Sequence, residues 1–111
     1  MELSISVSAT KDSVTIISLS GKMNAITVSE LKALLKKSIE EGSIRMIVDL
    51  SAVDFMDSSG LSALISALKG CREKGGFLRL VNLQAQVRRV FELTLLDRVF
   101  EVYASVDAAL A

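Results

Sequence analysis

Leu3, Ile5 and Val7 alternate with Ser4, Ser6 and Ser8, the two-residue period of a strand with one buried face. Val14 to Leu19 forms a second β-rich run, and Lys11-Asp12 between the two predicts an antiparallel hairpin. After Gly21 the period lengthens. Val28, Leu31, Leu35 and Ile39 fall on one helical stripe with Leu34 beside them, Thr27 and Glu30 match a capping box, and the helix is expected to end near Gly42. Met46-Ile47-Val48-Asp49-Leu50 is a nearly continuous apolar run, the pattern of a central strand covered on both faces. Ser51 to Gly60 reads as a loop. Leu61, Leu64, Ile65 and Leu68 then recur at helical spacing up to Lys74-Gly75-Gly76, where a cation and two glycines close the helix. Phe77 to Val81 is a further strand. Asn82 is the expected cap of a third helix whose inner face is Val87, Val90 and Phe91. Val99 to Tyr103 reads as a last strand, and Ser105 begins a terminal helix.

The order ββαβαβαβα predicts an α/β fold, one domain over residues 1–111. Its mixed sheet of four to five strands opens with a hairpin, continues by right-handed crossovers, and carries about four helices. In such sheets the loops at strand carboxyl ends form the functional edge. The segment Asp57-Ser58-Ser59-Gly60, between the central strand and the second helix, lies on that edge.

Composition narrows the chemistry. Thirteen basic residues balance thirteen acidic ones, scattered along the chain, so no basic face marks a nucleic-acid partner. The most apolar helical stretch, Leu61 to Leu68, falls far short of the ~20 residues that span a bilayer, and Met1-Glu2-Leu3-Ser4 lacks the character of a secretory signal. A single cysteine, Cys71, agrees with a reducing compartment, and the chain is placed in the cytoplasm. The absence of histidine removes Ser-His-Asp and Cys-His sites, His general bases and the common zinc sites. No metal or cofactor is expected. Lys69 stands about three helical turns, ~16 Å, from Ser58, too far to activate its hydroxyl, so the protein is not expected to be an enzyme. With no heptad seam, a monomer is the default.

Ser58 has two readings. It can cap the second helix by accepting a backbone N–H, as Asp57 or Ser59 can equally well. Three capping residues and a glycine together also leave at least one polar side chain for a partner, and Ser58 is the candidate. A phosphoryl group there would add about −1.5 to −2 charges, opposed by Asp57 but offered the free N–H groups and positive dipole end of the helix. Binding would fail while the fold survives.

Val48-Asp49-Leu50-Ser51, then Val53-Asp54-Phe55-Met56-Asp57-Ser58-Ser59-Gly60-Leu61, resembles the signature of the bacterial anti-sigma factor antagonists of the STAS domain family. Leu19-Ser20-Gly21, Lys74-Gly75-Gly76 and Val87 to Phe91 before Leu96 and Phe100 extend the likeness over nearly the whole chain. The resemblance implies partner switching. The unphosphorylated antagonist binds an anti-sigma factor that is also a serine kinase, which frees a sigma factor for transcription. Phosphorylation of Ser58 by that kinase, using ATP, ends binding, and a serine phosphatase restores it. Asp57, Ser58, Ser59 and Gly60 then form the contact loop, joined by Asn24 and by Met56 as adaptable apolar area. Two positions depart from the family pattern: Asn24 stands where an aspartate is common, and Leu95 where a glycine often follows the third helix. A different STAS role, as a binding subunit of a transporter or stress-sensing assembly, is the alternative.

Overall fold

The computed structural model describes residues 3–10 and 12–111. Five strands lie side by side in chain order, β1 (Leu3–Ala9), β2 (Thr15–Met23), β3 (Arg45–Met56), β4 (Phe77–Val81) and β5 (Glu101–Tyr103). β1 runs antiparallel to β2, and the remaining neighbours pair in parallel. The helices are α1 (Val28–Glu40), α2 (Ser58–Glu73), α3 (Ala85–Leu93) and α4 (Val106–Leu110). The expected element order and mixed sheet are therefore those observed. Lys11, half of the expected hairpin turn, lies outside the described residues.

The two faces of the sheet are covered unequally. Ile17 and Leu19 of β2, Met46, Val48 and Leu50 of β3, and Leu78 and Leu80 of β4 meet the apolar stripes of α1, α2 and α3 in one core. Each fully buried Leu in it contributes about 1.5–3 kcal/mol of transfer free energy. A smaller cluster of Val14, Ile47, Val81 and Ala109 seats α4 on the opposite face. Among the described residues no helix is long and apolar enough to cross a membrane.

The segment expected to be a loop from Ser51 is strand as far as Met56. Beyond Asp49, where pairing with β4 ends, β3 continues against Gly21, Lys22 and Met23 of β2 across two register shifts. Side chains at the start of α3 take over the vacated edge: Gln84 Nε2 donates to Ser51 O at 2.6 Å, and Met56 N donates to Gln86 Oε1 at 3.2 Å. Asn82 does not cap α3. It adopts a left-handed conformation, φ 60°, and donates from Nδ2 to Asp49 Oδ1, while α3 starts three residues later without a side-chain cap. The last strand is shorter than Val99 to Tyr103, because a 3-10 turn over Leu96–Arg98 delays it. Val7 is exposed, on the edge strand β1. Ser105 caps α4 as expected, accepting from Ala108 N.

Candidate functional site

A single residue, Asp57, joins β3 to α2. Its carboxylate accepts from the backbone N–H of Ser59 at 2.9 Å and of Gly60 at 3.3 Å, so Asp57 is the cap among the three capping-type residues. Its own N–H donates to Met23 O at 3.1 Å, tying the start of α2 to the end of β2. Ser58 is thereby released from capping. Its side chain is exposed, and among the described residues its hydroxyl has no hydrogen-bond partner. The free N–H groups expected to receive a phosphate are, at Ser59 and Gly60, already taken by Asp57.

Gly60 is buried because α2 enters close against the two strand ends. A Cβ there would stand 2.7 Å from Met56 Cγ and 3.0 Å from Met23 Cβ. Met56, expected at the contact surface, is only 1% exposed and belongs to the core. The reason is the extra length of β3: Met56 pairs with Met23 inside the sheet, beneath Gly60. Phe55 is half-buried, with Lys22 Nζ 5.8 Å above its ring and paired to Asp54 at 3.1 Å.

The turn between β2 and α1 forms the other side of the site. Asn24 Oδ1 accepts from Ile26 N at 2.9 Å and Thr27 N at 3.1 Å, and its own N–H donates to Thr27 Oγ1. Thr27 Oγ1 in turn donates to Lys22 O at 2.6 Å. The Thr27 and Glu30 capping box is therefore not formed, because Thr27 is turned back onto the strand and Asn24 caps the turn. An aspartate at position 24 would serve the same two acceptor bonds, so asparagine gives up the charge but neither contact. Asn24 is half-buried and holds its own backbone. The residue this turn displays is Ile26, 85% exposed, which patterning alone did not single out because a lone apolar residue before a helix has no period.

Between the two helix starts lies a groove of about 360 Å³, with Ala25, Ser29 and Lys32 on one wall and Ser58, Ser59 and Ser62 on the other. Lys74 Nζ donates to Ile39 O at the far end of α1, and Lys32 alone brings a cation to the groove. The arrangement leaves the Ser58 hydroxyl exposed beside this groove.

A family model described as the STAS domain matches residues 7–109. The chain belongs to the STAS domain family. BtrV of Bordetella bronchiseptica is 33% identical over 100 residues, covering 90% of this chain and 86% of that protein. The anti-sigma-B factor antagonist of Listeria monocytogenes is 32% identical over 82 residues, 74% of this chain and 72% of its own. The crystal structure of an anti-sigma factor antagonist from Mycobacterium paratuberculosis superposes with a TM-score of 0.87 at 29% identity, over 97% of this chain and 91% of that one. The STAS signature read from Val48 to Leu61 thus agrees with the family match over residues 7–109, and relatives of this chain within the family include anti-sigma factor antagonists.

Proposed function

We propose that this STAS domain is a phosphorylation-controlled anti-sigma factor antagonist in the cytoplasm. Unmodified, it docks an anti-sigma factor through the surface formed by Ser58, Ser59 and the neighbouring turn of Asn24 to Ile26, so that a sigma factor is released. The kinase activity of that partner moves the γ-phosphoryl group of ATP to Ser58 Oγ. The hydroxyl proton leaves, ADP departs, and a separate phosphatase later hydrolyses the ester to serine and inorganic phosphate. The STAS domain itself catalyses nothing in this cycle.

The observation that carries this reading is the division of roles between adjacent residues: Asp57 makes the cap, and among the described residues the Ser58 hydroxyl has no partner. A dianion on an exposed, structurally idle side chain leaves the fold intact, whereas a partner covering Ser58 would have to desolvate about −1.5 to −2 charges beside Asp57. The names of the STAS relatives support the partner class. The test is capture from native lysate with wild-type, Ser58→Ala and Ser58→Asp baits of verified fold, and identification of retained proteins by mass spectrometry. Retention of a kinase-like anti-sigma factor by the first two and its loss by Ser58→Asp is the expected result. Equal retention of transporter or stress-assembly subunits by all three would replace this function with the other STAS role.

A further inference from the structure

We propose that Lys32 of α1 receives a phosphoryl group carried on Ser58, making the groove between the starts of α1 and α2 a cradle for phosphoserine. The inference rests on the reading of Ser58 as a phosphoacceptor. A phosphate on Ser58 Oγ has two directions open to it, back over the first turn of α2 or across the groove. The first is occupied. Ser59 N–H and Gly60 N–H are bound by the Asp57 carboxylate, Leu61 N donates to Asp57 O at 3.1 Å, and the negative charge of Asp57 sits where the dianion would have to go. Across the groove the lining holds no carboxylate and one cation, Lys32. Among the described residues Lys32 is in no ion pair, whereas Lys22, at the end of β2, is already paired with Asp54. The long, flexible lysine stem brings an ammonium with three donors to a group that turns into the groove, and the exposed hydroxyl of Ser62 faces the same space. The phosphorylated domain then keeps an ordered loop while losing both the Ser58 hydroxyl and the Lys32 cation from its docking surface.

The experiment installs phosphoserine at position 58 during translation, so no kinase is needed and the outcome is independent of whether the cell modifies Ser58. The second ionisation of the phosphate is followed by phosphorus NMR across pH in wild-type, Lys32→Gln, Lys32→Arg and Lys36→Gln backgrounds. Lys36 is the control, one turn along α1 and lining the next groove. The ionisation is expected to move up by about 0.2–0.7 unit in Lys32→Gln, to return to the wild-type position in Lys32→Arg, and to move less in Lys36→Gln. The difference should shrink in high salt. An unchanged titration in Lys32→Gln, or an equal shift in Lys36→Gln, overturns the proposal.

Discussion

Two adjacent side chains with the same capping ability have separate roles, and the difference is measurable. Asp57→Ala removes the acceptor for two N–H groups and is expected to destabilise the fold by about 0.5–2 kcal/mol in urea unfolding. Ser58→Ala should change it by less than about 0.5 kcal/mol, since no bond is lost. That a surplus polar residue existed in Asp57-Ser58-Ser59 was legible in the sequence, but which residue it was depended on the extended backbone of Asp57, φ −112° and ψ −170°, that aims its carboxylate at the following turn. Cys71 is a second residue with a definite signature. Burial pushes its thiol up to about 11, so the folded state retains a proton that the unfolded chain releases near the ordinary thiol pKa of about 8.5. Stability should therefore be intact below pH 8.5 and decline by roughly 2–3 kcal/mol as pH rises to 11. Unfolding curves across this range in wild type and Cys71→Ala check it, the decline being smaller in the variant.

Elements were easiest to read where one face repeats. The stripes of α1 and α2, and the glycines after them at φ 102° for Gly42 and 83° for Gly75, follow from spacing and from the backbone freedom that such turns need. β3 was hard to read because its second half pairs on one edge only and its alternation is broken by register shifts, so exposed Ser51, Ala52 and Asp54 look like loop. The glutamines that complete its other edge come from thirty or more residues away. The end of α3 is a different case. Leu95 has φ 61°, a conformation costing a non-glycine residue about 1–2 kcal/mol. The side chain is 56% exposed and loses little contact on removal. Leu95→Gly is therefore expected to stabilise the protein by about 0.5 kcal/mol, the strain relieved exceeding the extra entropy of an unfolded glycine. Thermal unfolding of the variant tests it, and a lower Tm would show that Leu95 makes contacts worth more than its strain.

For the molecule as a whole, packing α1 and α2 against the same face of the sheet puts their starts together at the carboxyl ends of β2 and β3, with Gly60 and Met23 in contact beneath them. The fold class, and the place of Asp57-Ser58-Ser59-Gly60 at the carboxyl end of β3, followed from the order of elements alone. The groove, the exposure of Ile26 and the burial of Met56 did not, because each depends on how two strand ends meet in space. Ser58 is exposed at a helix start that Asp57 caps, so a charge placed on it would need no rearrangement of the core. The most direct test is a phosphosite map of the protein after incubation with its captured anti-sigma factor and ATP. Phosphate confined to Ser58, absent in Ser58→Ala and accompanied by release of the partner, is the predicted result. Phosphate placed at Ser59 or Ser62, or a partner that stays bound to the phosphorylated protein, would contradict the account.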